Sequence, residues 1–171
     1  MNRYLLIDGY NVMNTWSKQE GMEFLNLEEA REKLIQELVD YKCYTGEKVC
    51  IVFDAYLVKG NLGSKMDVEG VEVVYTKENQ TADAYIEKKV EELLKDRRNR
   101  VRVATSDRLE QQMILGSGAT RISARELVME LKTVRKEIIK KTEETKENKM
   151  ALGDRIDERI LETLEKWRKN P

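Results

Sequence analysis

Short unbroken apolar runs alternate along the chain with longer stretches in which apolar residues recur every three to four positions. Residues 3–8, 49–54, 71–75 and 101–105 are runs of the first kind, as expected for the buried strands of a parallel sheet. Residues 27–44 have helical spacing, with Leu27, Ala30, Leu34, Ile35, Leu38 and Val39 close to one face. Asn26 suits the N-cap, Glu28 and Glu29 the first turn, and Thr45-Gly46 the stop. Thr81 caps a second helix over residues 82–95, whose apolar face is Ala82, Tyr85, Ile86, Val90, Leu93 and Leu94. Residues 9–12 read as a turn, residues 55–70 as a glycine-containing loop, and residues 96–99 as a polar turn.

Asp107 is expected to open a short helix carrying Leu109, Met113 and Ile114, ended by Gly116-Ser-Gly118. A short edge strand over 119–122 follows. Ser123, with Glu126 at capping-box spacing, then starts a long helix to about residue 146. Gly153 is expected to break the pattern, and Asp154 to cap a last helix bearing Ile156, Ile160, Leu161, Leu164 and Trp167. That apolar stripe needs burial, by default against the parent domain. Strands alternating with helices define an α/β domain with a central parallel sheet and helices on both faces. The division is residues 1–146 as the domain and 147–171 as an amphipathic C-terminal helical extension.

Composition narrows the chemistry. With 171 residues the chain is long enough to bury a real core. Its 37% charged content and lack of a long uncharged apolar run argue against a membrane span, and the direct run of residues 1–4 into strand pattern argues against a signal peptide. A cytoplasmic protein is expected. The cysteines, Cys43 and Cys50, lack metal-site spacing and read as reduced packing thiols. There is no histidine, which excludes histidine-based triads, histidine-ligated zinc and a histidine general base. The net charge of −1 means that any nucleic-acid binding must be carried by local patches.

Four aspartates stand where a parallel sheet brings side chains together. Asp8, Asp54 and Asp107 follow apolar strands, and Asp83 lies in the first turn of a helix. Ligands of such sheets bind beyond the carboxyl ends of the strands. Each acid alone has a plain structural role, as a cap or a turn; their coincidence carries the argument. Two carboxylates ~4 Å apart repel by ~4 kcal/mol at an effective dielectric of ~20. A hard divalent cation, Mg²⁺ or Mn²⁺, removes that conflict and can activate a water for phosphodiester hydrolysis. Asn11 can orient a water or ligand through its amide, and Thr105 and Ser106 bring hydroxyls beside Asp107. Lys59 and Lys65, among the glycines of the 55–70 loop, suit a substrate-side element. Gly60-Asn-Leu-Gly-Ser-Lys65 lacks the order of a phosphate loop. Arg97, Arg98, Arg100 and Arg102 precede or enter a strand, so they are expected at the opposite end of the sheet, as surface or partner-facing residues.

Four segments, Leu5-Leu-Ile-Asp-Gly-Tyr-Asn-Val12, Val52-Phe-Asp54, Thr81-Ala-Asp83 and Ala104-Thr-Ser-Asp107, together resemble the NYN domain of the PIN-like nuclease fold, in its YacP-like bacterial branch. The resemblance covers about residues 1–146, and Ile-Asp-Gly-Tyr-Asn is its most specific piece. It implies a Rossmann-like, three-layer PIN-like fold and endoribonuclease activity at an acidic divalent-metal site. Asp8, Asp83 and Asp107 match the metal-binding acids, Asn11 the polar position of the opening motif, and Asp54 less firmly. It further implies cleavage of messenger RNA on translating ribosomes. The alternative is a non-catalytic RNA- or ribosome-binding adaptor that keeps the fold. A receiver domain and a haloacid-dehalogenase-type phosphatase are disfavoured. The first lacks its acidic pair after the first strand, and the second meets Tyr10 where it needs a second aspartate.

Overall fold

The computed structural model describes all residues except 22, 24–25, 58–62, 107–117 and 170–171, and the side chains of residues 57 and 154–157 are also left aside. The elements run β1 (Asn2–Asp8), α1 (Gly9–Glu20), α2 (Leu27–Thr45), β2 (Lys48–Phe53), a 3-10 turn (Ala55–Leu57), β3 (Lys65–Val68), β4 (Val71–Tyr75), α3 (Ala82–Leu94), β5 (Asn99–Ala104), β6 (Thr120–Ile122) and α4 (Ala124–Lys169). Among the described residues, six strands form one sheet in the order β3-β4-β2-β1-β5-β6. Every pairing is parallel except β3 with β4. The expected α/β architecture with a central parallel sheet is what the chain adopts.

Alternation along the strands sorts the core into two layers. Leu5 and Ile7 of β1 face a layer built with α1, α2 and the opening turns of α4, where Trp16, Leu34, Leu38 and Leu127 are fully or almost fully buried. Leu6, Cys50, Val52, Val74, Val101 and Val103 face the other side, covered by Ala82, Ile86 and Val90 of α3. Each large aliphatic side chain buried this way contributes about 1.5–3 kcal/mol. Cys50 belongs to this core, whereas Cys43 is exposed; both are free.

The local chemistry explains the boundaries. Asn26 accepts a hydrogen bond from the Glu29 amide (2.9 Å), and α2 ends at Gly46 in the left-handed conformation. Ser123 and Glu126 form a reciprocal capping box, the Ser123 amide donating to Glu126 Oε2 (2.7 Å) and the Glu126 amide to Ser123 Oγ (3.1 Å). The opening of α4 is tied down by Arg135, which bonds Glu37 (3.0 Å) and Glu20 (3.2 Å).

Three elements differ from the sequence reading. Residues 9–12 do not turn: α1 begins at Gly9 with no spacer after β1. The 55–70 loop contains β3, an exposed edge strand joined to β4 by the two-residue turn Glu69-Gly70, both with positive φ. Gly153 does not break the last helix, because α4 continues to Lys169; a lone glycine weakens a helix by only about 1 kcal/mol. The short helix expected after Asp107 lies outside the described residues. The chain divides into two compact units, Met1–Arg135 and Lys136–Pro171. In the second, Ile160, Leu161, Leu164 and Trp167 are exposed, Trp167 by 74%.

The helix start at Gly9 depends on a close approach. A Cβ there would stand 2.5 Å from the Phe53 ring and 2.9 Å from the Val52 carbonyl oxygen. Gly9→Ala therefore must push α1 off β2. Overpacking of this kind destabilises by about 1–3 kcal/mol, roughly 2–4 °C in Tm per kcal/mol for a chain of this size. Thermal denaturation followed by circular dichroism is expected to show that loss, and an unchanged Tm would mean that Phe53 yields freely.

Candidate functional site

The central strand β1 delivers the first acid. From β1 the chain fills one side of the sheet through β2 and β4, then crosses by α3 to β5 on the other side. Beyond the carboxyl ends of strands at such a switch a parallel sheet opens a crevice. An open pocket of about 610 Å³ lies here, with Asp8, Asp54, Asp83 and Glu78 in its wall together with Tyr10 and Tyr56.

Asp8 is the last residue of β1 and the N-cap of α1. Its Oδ1 accepts from the Asn11 amide (3.4 Å) and its Oδ2 from Asn11 Nδ2 (2.7 Å). Asp8 as a whole is only 6% exposed. Burial pushes its pKa up to about 6, against the bonds from Asn11 that lower it, and the adjacent Asp83 carboxylate adds to the rise. Asp83 lines the same pocket as Asp8, near enough for its charge to act on the Asp8 carboxyl. Neighbouring carboxylates repel, and the repulsion favours the protonated form of the buried one. The Thr81 cap sets Asp83 in the first turn of α3, Thr81 Oγ1 accepting from the Ala84 amide (3.1 Å).

Asp54 approaches from β2. Its Oδ1 accepts from the Tyr56 amide (3.1 Å) and its Oδ2 from the Ala82 amide (3.4 Å), so it ties the β2 exit to the start of α3. Buried Thr76 fixes the same exit: its hydroxyl accepts from the Ala55 amide (2.9 Å) and its amide donates to the Phe53 carbonyl (3.1 Å). The positive ends of α1 and α3 thus both meet the acids. Tyr10 packs edge-on against Phe53, with ring centroids 5.3 Å apart, and accepts a hydrogen bond from Arg31 (3.4 Å). Burial raises its phenol pKa. Tyr56 stands at the rim, 92% exposed.

Of the residues singled out in sequence, Asp8, Asn11, Asp54 and Asp83 therefore come together. No group of three acids among the described residues is set to enclose one ion. Asp107 and Lys59 lie outside the described residues. Ser106 is exposed just before that segment. Thr105 is fully buried and its amide donates to Ile122 (3.2 Å), so it extends the β5–β6 pairing and is closed to a substrate. Lys65 is on β3 and lines a neighbouring groove, not the acidic pocket. Arg102 is half-buried and engaged within the fold: it bonds Glu47 (2.9 Å), Glu130 (3.0 Å) and the Tyr41 hydroxyl (2.9 Å). Sequence reasoning missed Tyr10 and Tyr56 as pocket residues, although each lies within two positions of a strand-end aspartate.

Comparison with known proteins agrees with this fold. The family profile described as "YacP-like NYN domain" matches residues 5–169. The chain is 44% identical over 165 residues to "Uncharacterized protein YacP" of Bacillus subtilis (strain 168), covering 96% of each. The crystal structure titled Rae1 (YacP) from Bacillus subtilis is similar with a TM-score of 0.74 at 43% identity, over 98% of this chain and 95% of that one. A tryptophan-to-leucine mutant of that protein matches with a TM-score of 0.69 at 40% identity, over 85% and 84% of the two chains. The chain belongs to the YacP-like NYN domain family, a family of nuclease-type domains.

Proposed function

We propose that this protein is a divalent-metal-dependent endoribonuclease that cleaves messenger RNA, with the translating ribosome as its site of action. The observation that carries the reading is the gathering of Asp8, Asp54 and Asp83 in the wall of one open pocket at the carboxyl end of the sheet. A purely structural role does not call for carboxylates gathered around an open pocket.

The donor set is oxygen only, which fits Mg²⁺ or Mn²⁺. Asp8 and Asp83 would hold the ion. Asp54 faces the same pocket, and Asp107 joins them on the strength of the family resemblance. Such an ion, when bound, supplies an activated water and charge stabilisation at a phosphodiester. The remaining work belongs to the chain. Asn11 donates to Asp8 Oδ2 and so fixes the plane of that carboxylate. The amides at the starts of α1 and α3 orient Asp8 and Asp54. The exposed ring of Tyr56 offers a face on which an unpaired base can stack. With no histidine in the chain, proton transfer falls to water and carboxylates. Ribosome docking rests on the resemblance and on a net charge of −1, too low to gather free RNA by bulk attraction.

The deciding experiment is cleavage of a labelled messenger RNA by the pure protein with Mg²⁺ or Mn²⁺, with and without translating ribosomes, beside Asp8→Asn and Asp83→Asn. Cutting by the wild type alone is the expected result, confined to ribosomal complexes if docking is required. Ribosome binding without cutting would favour the adaptor. Equal cutting by both variants would end the acidic-site mechanism. Asn11→Ala is expected to reduce the rate about 10–100-fold, as removal of an orienting partner does.

Asp8 also predicts a stability effect. Its folded pKa, about 6, exceeds the ordinary value of 3.8, so protonation stabilises the fold. That contribution is complete below about pH 4 and is lost as pH rises through about 6. Without divalent metal at pH 8, Asp8→Asn is expected to melt above the wild type, by at most about 3 kcal/mol in stability. The gap should close near pH 4. A lower Tm for the variant at pH 8 would show that the carboxylate is already compensated. Tyr56→Ala is expected to raise KM several-fold, stacking being worth about 1–3 kcal/mol per base, and Tyr56→Phe to keep it. Equal KM values for all three would remove Tyr56 from the substrate path.

A further inference from the structure

Beside the acidic pocket lies a second depression, of about 320 Å³, and Gln80 belongs to the walls of both. Three separate elements furnish it with lysines: Lys65 from β3, Lys77 from the β4–α3 connection, and Lys88 and Lys89 from α3. A lysine-bearing helix face is usually just a solvated surface. This arrangement differs because the lysines converge on a concavity and because two of them, Lys65 and Lys89, pack against one aromatic ring. The Tyr85 ring lies between two of them, with Lys65 Nζ 5.3 Å and Lys89 Nζ 5.8 Å from its centroid. Lys89 is neutralised by Glu72 at 2.6 Å. Lys77 and Lys88 are exposed and, among the described residues, have no ion pair. The stem of Lys77 runs close over Gly63, where a Cβ would stand 3.3 Å from its Cγ.

The acidic pocket creates the need for such a feature. Asp8, Asp54, Asp83 and Glu78 line it, and a polyanion brought there meets carboxylates that a bound cation offsets only in part. An anchor of opposite sign next to the pocket would hold the strand on either side of the reacting phosphate. We propose that the Lys65–Lys77–Lys88 groove binds the sugar-phosphate backbone of single-stranded RNA next to the acidic site, with Lys77 and Lys88 as its principal phosphate ligands. This inference rests on the nuclease reading for its choice of ligand. Ammonium groups read phosphate without regard to base, so the groove adds affinity and fixes the path of the strand without specifying sequence.

The test is fluorescence anisotropy with a labelled single-stranded RNA oligonucleotide and the full chain carrying Asp8→Asn to prevent cutting. Lys77→Glu/Lys88→Glu is compared with Arg97→Glu/Arg100→Glu, an equal charge change at exposed positions leading into β5, at the opposite end of the sheet. The groove pair is expected to weaken binding at least tenfold. It should also lower the slope of log K against log salt by about 0.7 for each phosphate that is no longer neutralised. The control pair should do neither. Matching far-ultraviolet circular dichroism and Tm for the two double variants secures the comparison, since all four positions are exposed. Wild-type affinity and slope in the groove pair, an equal loss in the control pair, or no RNA binding by the parent protein would each overturn the proposal. Failure of the nuclease reading appears separately, as absence of metal-dependent cleavage by the wild type. Intact cleavage with unaltered binding by the groove pair would remove the groove alone.

Discussion

Asp8 closes β1 and caps α1, and the rest of the site follows from that double role. A strand that turns into a helix without a spacer leaves its last carboxylate at the helix start, bonded to the amide three residues on. Gly9 makes the turn possible, because only a missing Cβ lets the backbone lie against Phe53 and the Val52 carbonyl. β1 is also the sheet's central strand, paired to β2 on one side and β5 on the other. A shift of β1 would move Asp8 relative to Asp54 and Asp83 together. The Ile-Asp-Gly-Tyr-Asn segment is thus one mechanical unit: Ile7 anchors in the core, Asp8 supplies the charge, Gly9 permits the bend, Tyr10 lines the pocket and Asn11 aims the acid.

Convergence of acids is unfavourable by itself, and the fold moderates it without removing it. Helix amides meet Asp8 and Asp54, and Asn11 adds a side-chain donor. These bonds favour the ionised form, yet burial and Asp83 outweigh them at Asp8, whose pKa remains near 6. The residual conflict separates a binding site from a set of caps. A carboxylate whose only task was to start a helix would be fully served by the amides; here the geometry keeps it partly uncompensated in front of an open pocket.

The legibility of this chain follows the strength of its local signals. The buried strands were plain because two-sided burial writes continuous apolar runs, and α2 and α3 because their caps and apolar faces agree. β3 was hidden because an exposed edge strand needs no apolar pattern; its Lys65-Met-Asp-Val68 is mostly exposed. α1 was hidden by Gly9 and two asparagines, poor helix formers, although Gly9, Val12, Met13 and Trp16 already had helical spacing and are buried together. Within the site, Asp8 and Asp83 were legible as strand-end and helix-start acids, and Thr81 as the cap. The burial of Thr105 was not, since hydroxyls at strand ends face either way. The role of Arg102 needed three partners from distant parts of the chain.

Arg102 shows what the fold does with charge when no ligand is intended. Its guanidinium lies between Glu47 and Glu130, with the Tyr41 hydroxyl closing the cluster, and Glu47 is almost wholly buried. Every charge there has an opposite or hydrogen-bonding partner, and the cluster joins α2, the start of β2, β5 and the first turns of α4. Such a network contributes little net stability, because desolvation offsets most of the attraction. Removing one member would still be severe, since it would strand a buried charge. Glu47 immediately precedes β2, at the amino end of the sheet, whereas Asp8 and Asp54 stand at the carboxyl end. One end of the sheet is therefore closed by matched charges, while at the other the described residues of the pocket wall include acids and no lysine or arginine. The same backbone could have placed an arginine beside Asp8 and Asp83 at no greater difficulty than beside Glu47. It places Asn11 there instead, a donor without a charge, so that among the described residues the neutralisation Arg102 gives Glu47 has no counterpart at Asp8.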